Sequence, residues 1–175
     1  MKTLESIQKT YQIFKTLAMI AMVLSFVWAG LSAAGVVCAL IWRSTGLMPS
    51  ASVVDILLPQ GGGWNLMIGA LLADFVFALT DGLLFFFTHR YLKQELADGT
   101  PFTAAGAEQV KSLGIRTIVM PLAAVIISAV IYECFGLARP GDWGNGAAVV
   151  LGVALILFSL ILRHGAELRE GSGEG

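Results

Sequence analysis

Two aspartates stand within a long apolar stretch of this sequence. Asp74 and Asp81 are seven residues apart, so an α-helix places both carboxyl groups on one face, with Thr88 one heptad further on. Near the centre of a bilayer each such carboxylate costs roughly 2.5–3.5 kcal/mol. The pair therefore predicts a hydrogen bond inside the protein, bound protons, or a site for a cation or a cationic ligand group.

Partners for these acids are expected among hydroxyl groups, because no Lys, Arg or His lies at the depth of Asp74. A protonated acid, a bound cation and contact with the helix of a second protein are the alternatives to a hydrogen bond. In each case the face with Asp74 and Asp81 is predicted to turn toward the other helices or a wet cavity. The candidate hydrogen-bond donors are Ser25, Ser32, Ser128 and Thr80.

Glu133 is a third acid in an apolar setting, beside Tyr132 and Cys134. From the helical rise, we expect it roughly 9 Å nearer the outer surface than Asp74, too far for a direct carboxylate pair. It is interpreted either as an interfacial acid that reaches water or as a ligand at the rim of a cavity that leads to Asp74. The ligand- or ion-binding candidates are Asp74, Asp81, Glu133, Ser128 and Ser32.

No familiar arrangement of catalytic residues accompanies these acids. His89 and His164 fall at the inner ends of predicted helices, without a nucleophile motif, and there is no glycine-rich phosphate loop or zinc motif. We therefore predict no enzyme activity, no cofactor and no metal site. Cys38 and Cys134 are interpreted as small buried apolar residues, although a disulfide between them is conceivable.

Four long, nearly uncharged stretches carry these residues. The chain has 175 residues, of which 57% are hydrophobic and 13% charged, whereas soluble domains average about 25% charged. We predict an all-α polytopic membrane protein, a four-transmembrane-helix bundle. The predicted helices are about 16–42, 64–92, 117–136 and 145–162, within a single domain of residues 1–165 followed by a flexible tail at 166–175.

The cations predict the orientation of this bundle. If the N-terminus is cytoplasmic, nine of the eleven Lys and Arg residues lie inside and only Arg43 and Arg139 lie outside. This positive-inside distribution predicts cytoplasmic N- and C-termini. The nine inner cations are Lys2, Lys9, Lys15, Arg90, Lys93, Lys111, Arg116, Arg163 and Arg169.

The first helix is predicted to remain in the protein as a membrane span. Its uncharged run from Thr16 to Trp42 has 27 residues, against about 7–15 in the apolar region of a signal peptide. Residues 1–15 either lie at the inner interface or continue this helix. The apolar residues within 44–63 predict a short helix or a re-entrant segment on the outer surface.

The connector after the second stretch resembles a known family. Residues 92–103 read LKQELADGTPFT, followed by a polar helix and Leu113-Gly114. This pattern is similar to the DUF2975 family, uncharacterised bacterial four-span membrane proteins with a Gly-x-Pro-Phe turn between spans two and three. The resemblance covers most of the chain in layout, and residues 91–121 in motif.

The resemblance implies a multi-pass protein of the bacterial cytoplasmic membrane without known enzyme activity. Members are often encoded beside small helix-turn-helix regulators, which implies a sensing or anti-regulator role with a cytoplasmic regulator protein as partner. It assigns no role to Asp74 or Asp81. The candidate docking residues for the partner are Thr100, Pro101, Phe102 and Thr103.

The predicted function is that of a non-enzymatic sensor or regulator with an acidic intramembrane cavity lined by Asp74 and Asp81. The alternative is a small cation- or proton-coupled transporter or channel subunit, in which the two acids form an ion path in a homo-oligomer. The lipid bilayer is a partner in both interpretations. Direct nucleic-acid binding is not expected, because the net charge is -1 and no long basic run is present.

Overall fold

A computed structural model describes residues 2–46, 63–98, 104–136 and 146–172, and these ranges are helical apart from short turns. The helices are α1 (Lys2–Thr45), α2 (Trp64–Asp98), α3 (Ala104–Cys134) and α4 (Gly146–Ser172). Each is long and apolar enough to cross a membrane. The predicted all-α architecture with four membrane-spanning helices is confirmed.

Large apolar side chains point outward from the helices. Leu122 of α3 is 56% exposed and Ile161 of α4 is 66% exposed, and α1 shows the same pattern over most of its length. A helix in water would bury such residues along one stripe. Acyl chains accept them on every side, so the distribution is that of a multi-pass membrane protein.

The helices pack in chain order. The contact of α1 with α2 is the most extensive, α3 with α4 is next, and α2 with α3 is the smallest of the three. Among the described residues no comparable interface joins α1 to α4. The bundle is therefore open on the side between its first and last helices.

Glycines permit the closest approach in two of these interfaces. Gly82 of α2 lies under the ring of Phe26 of α1, where an added Cβ would be 3.1 Å from a ring carbon. Gly152 of α4 faces Gly114 of α3, where an added Cβ would be 2.8 Å from the Gly114 carbonyl oxygen. Small residues at such positions let helix backbones approach in lipid.

All four helices extend beyond their predicted spans, and α3 begins at Ala104 because it includes the polar helix expected before the third span. Helix α1 includes residues 2–15, so the N-terminal segment continues the first span. Helix α2 begins at Trp64 as predicted and runs to Asp98. Helix α4 continues to Ser172, through most of the segment expected as a flexible tail. An ion pair of 3.1 Å between Arg163 and Glu167, four residues apart, supports that extension.

Glycines in the left-handed region follow two of the helices. Gly46 after α1 has φ +68° and Gly136 after α3 has φ +65°, the usual geometry just past a helix end. Two predictions lie outside the described residues. They are the outer helix or re-entrant segment expected within 44–63, of which residues 47–62 are not described, and the docking turn, Thr100 to Thr103.

Candidate functional site

The acidic stripe, Asp74 and Asp81, lies on one face of α2 as the spacing predicts, and both side chains are exposed. Neither residue lines the cavities described below. The stripe differs in this respect from the expected acidic cavity. Helix α2 packs against α1 and α3, and neither interface covers the two carboxyl groups.

The hydroxyl groups predicted as partners make no hydrogen bond to Asp74 within the described chain. The Thr80 hydroxyl donates instead to the Val76 carbonyl oxygen at 2.8 Å, as threonines within helices commonly do. Ser32 is buried in α1. Ser128 is fully buried in α3, and its Oγ has no hydrogen-bond partner among the described residues. A hydrogen bond was one of several alternatives for Asp74, and the described residues show none from these hydroxyl groups.

The neighbour of Asp74 is Tyr132 of α3. The tyrosine hydroxyl and the aspartate carboxyl group are close enough to interact electrostatically. Side chains of a helix point toward its N-terminus, so Tyr132 reaches inward from the outer end of α3. From the sequence, this tyrosine was noted only as a neighbour of Glu133. The signal that could have identified it is its ring, which is apolar on its faces and polar at its hydroxyl group. Glu133 itself is exposed near the end of α3.

The two cysteines are free thiols, and both are exposed. Their interpretation as buried apolar residues is wrong, because Cys38 and Cys134 lie on outward faces of α1 and α3. Among the residues that the structure describes, no three His, Cys, Asp or Glu side chains are grouped to hold a metal ion.

A second polar group of α2 lies at the inner end of the bundle, which comprises the N-terminal parts of α1 and α3 and the C-terminal parts of α2 and α4. Here the Tyr91 hydroxyl forms side-chain hydrogen bonds with Tyr11 of α1 and with Glu95. Glu95 is only 6% exposed. We call Tyr11, Tyr91 and Glu95 the inner cluster. It joins α1 to α2 through the half-buried pair Tyr11 and Tyr91, and polar contacts are stronger where water is partly excluded.

His89 adds a further contact between the same two helices. Its Nδ1 lies 3.2 Å from the Lys15 carbonyl oxygen of α1, in a hydrogen bond that the ring N–H donates. His164, by contrast, is exposed on α4 with its Nδ1 4.0 Å from a Glu167 oxygen. The histidine at the end of α2 is thus part of the packing, and neither ring stands beside a nucleophile in these contacts.

An apolar cavity of about 270 Å³ adjoins the inner cluster. All four helices contribute side chains to its lining, so α1 and α4 both border this cavity. Its lining residues are Thr10, Tyr11, Phe14, Tyr91, Leu92, Val110, Leu113, Leu155 and Phe158.

A polar cavity of about 260 Å³ lies between the inner ends of α2 and α3, and we call it the arginine cavity. The guanidinium group of Arg116 sits 4.1 Å from the centre of the Phe87 ring. From the sequence, Arg90 and Arg116 were recognised only as inner cations. The lining residues are Phe87, Arg90, Tyr91, Gln94, Gln109, Ser112, Leu113 and Arg116.

The chain matches no protein-family model, no curated protein and no solved structure. Its class follows from the fold, which is that of a multi-pass membrane protein with four membrane-spanning helices. The resemblance of residues 91–121 to the DUF2975 family stays a prediction.

Proposed function

We propose that this membrane protein is a non-enzymatic sensor or regulator, in which the acidic stripe takes up protons or the cationic group of a ligand. The observation that carries the proposal is the exposure of Asp74 and Asp81 on one face of an apolar helix. Each carboxylate at bilayer depth costs roughly 2.5–3.5 kcal/mol. Protonation or cation binding lowers that cost, so the stripe responds to whatever supplies the positive charge.

Helix α2 connects the stripe to the inner end of the bundle. It is continuous from Trp64 to Asp98, and the ten residues from Asp81 to Tyr91 span about 15 Å along its axis. In the proposed mechanism, occupancy of the stripe shifts or rotates α2 and changes the contacts of Tyr91 with Tyr11 and Glu95. The predicted docking turn, Thr100 to Thr103, follows α2 directly in the sequence and would present the change to a cytoplasmic regulator protein.

The contacts of the histidines support a role without catalysis. His89 is hydrogen-bonded to a backbone carbonyl oxygen, and His164 lies near Glu167 on an exposed face of α4. A general base needs its nitrogen within reach of a nucleophile or a substrate proton. These two rings serve helix packing and the surface in our proposal.

A small cation- or proton-coupled transporter or channel subunit is the second candidate. The observation that favours it is that both carboxyl groups of the stripe are exposed on the single chain. A homo-oligomer that brought two such faces together would enclose an acidic path across part of the membrane.

Reconstitution of the full chain in vesicles distinguishes the two candidates. We expect pH or an added organic cation to change hydrogen exchange at the backbone of residues 91–98, and Asp74→Asn and Asp81→Asn to abolish the change. The control is Glu108→Gln, which alters an exposed acid of α3 near Lys111. A proton or cation flux that requires Asp74 would favour the transporter instead. Absence of both the exchange response and the flux would refute the acidic stripe as a functional site.

A further inference from the structure

We infer that the arginine cavity is a binding site for a phosphate group. Its donors come from two helices that pack side by side: Arg90 and Gln94 from α2, and Gln109, Ser112 and Arg116 from α3. Guanidinium, amide and hydroxyl groups are the donors that bind phosphate oxygens. This site is separate from the acidic stripe, and the inference does not depend on the proposed function.

The charge of the cavity is not balanced by the residues around it. No carboxylate is among its lining residues. Within the described chain neither Arg90 nor Arg116 forms an ion pair, whereas Arg163 of α4 lies 3.1 Å from Glu167. Two cations in one cleft repel each other, and an anion between them removes the repulsion.

The exposed side chain of Arg116 lies against a neighbouring aromatic ring. Its guanidinium group lies over the Phe87 ring at 4.1 Å, a contact that holds the plane of the group by cation–π attraction. The N–H groups at the edge of that plane remain able to donate. A guanidinium fork presents two parallel donors, which match two phosphate oxygens.

The size of the cavity suits a phosphate group together with water. Its volume is about 260 Å³, far more than the roughly 10–15 Å³ that a cavity needs to hold one water. The cavity lies at the end of the bundle that the positive-inside distribution predicts to be cytoplasmic. Basic pockets between helices on that side meet the phosphates of anionic lipids as well as those of soluble metabolites. The shared chemistry is the phosphate, and the experiment separates the two sources.

The test measures phosphate binding by the purified full chain in neutral detergent. One arm adds phosphatidylglycerol, with phosphatidylcholine as the zwitterionic comparison, and counts bound lipid by native mass spectrometry. The other arm adds inorganic phosphate and measures the thermal unfolding midpoint. We expect saturable binding in at least one arm. Lipid binding alone identifies a headgroup site, and binding of inorganic phosphate alone identifies a soluble ligand.

Variants separate a built site from general attraction to positive charge. Arg90→Gln and Arg116→Gln are each expected to weaken binding about tenfold, the usual size for a lost charge-assisted hydrogen bond. Arg116→Lys keeps the charge but loses the fork, so we expect a smaller loss and an unchanged fold. Lys93→Gln, which removes an exposed cation of α2 outside the cavity, should leave binding within twofold.

Two outcomes would overturn the inference. One is that neither phosphatidylglycerol nor inorganic phosphate binds the wild-type chain. The other is that Lys93→Gln weakens binding as much as Arg116→Gln, since the anion would then respond only to the total charge of the inner end.

Discussion

Helix α2 carries two polar regions that the structure treats differently. The acidic stripe, Asp74 and Asp81, is exposed on the surface of α2. The inner cluster is partly buried, with Tyr91 hydrogen-bonded to Tyr11 and to a buried Glu95. A charge in an apolar stretch costs free energy wherever it lies. The neighbouring helices decide whether a hydrogen-bond partner within the chain offsets that cost.

The largest expected effect is on the insertion of α2 into the membrane. Asp74→Leu replaces a cost of roughly 2.5–3.5 kcal/mol by a gain of about 0.3–0.6 kcal/mol, so the insertion free energy should fall by about 3–4 kcal/mol. A reporter fused to α2 in a translocon insertion assay measures this change. Ala70→Leu, which removes no charge, should shift it by well under 1 kcal/mol. Equal insertion of Asp74→Leu and wild type would place Asp74 outside the bilayer centre.

Substitution of Glu95 tests the inner cluster, where we expect a loss of stability. Glu95→Ala removes a buried hydrogen-bond partner of Tyr91, and we expect the free energy of unfolding to fall by about 1–2 kcal/mol. Unfolding in mixed micelles with increasing SDS measures it. Asp81→Ala in the exposed stripe should not destabilise the chain, and a loss equal to that of Glu95→Ala would contradict the distinction between the regions.

Tyr91 and Tyr132 provide a matched pair of substitutions with a smaller expected effect on stability. Tyr91→Phe removes a hydroxyl that bonds Tyr11 and Glu95, and we expect a loss of about 1 kcal/mol. Tyr132→Phe removes the hydroxyl near Asp74 and should cost less than about 0.5 kcal/mol, because its site is more open. The same unfolding assay compares them. A larger loss for Tyr132→Phe would show that the stripe contributes more to stability than the inner cluster.

The smallest effect is expected for an exposed ion pair at the inner end that does not belong to the cluster. Arg163→Ala removes the pair with Glu167, whose two side chains are 67% and 58% exposed. Such pairs, four residues apart on a helix, contribute about 0.2–0.5 kcal/mol. High salt should reduce the difference between variant and wild type. A loss above 1 kcal/mol would place Arg163 in the packed region of the bundle.

The spans were predictable to within a few residues at several ends. Trp64 begins α2 as predicted, and α3 ends at Cys134, two residues before its predicted end. Apolar length is a strong signal, because a backbone in lipid satisfies its polar groups only within a helix or a closed barrel. The inner ends were placed less well. Residues 93–98 and 163–172 are polar but good helix formers, and they continue α2 and α4 beyond the apolar runs.

The sites were predictable only in part. Spacing alone placed Asp74 and Asp81 on one face of α2, since the helical period is a local property. Their surroundings were not predictable in this way. Tyr132 near Asp74, and the arginine cavity with Arg90 and Arg116, depend on which face α3 turns toward α2.

The sequence by itself determined the number of spans, their approximate bounds and the shared face of the two aspartates. The tertiary structure decided which polar side chains meet, as when Tyr11 and Tyr91 form a hydrogen bond across 80 residues of sequence. The physical reason is that these helices are apolar on nearly every side, so no single apolar face sets the rotation of one helix against the next. Packing of glycines such as Gly82 and Gly152 sets the close contacts between helices, and the polar contacts follow from it.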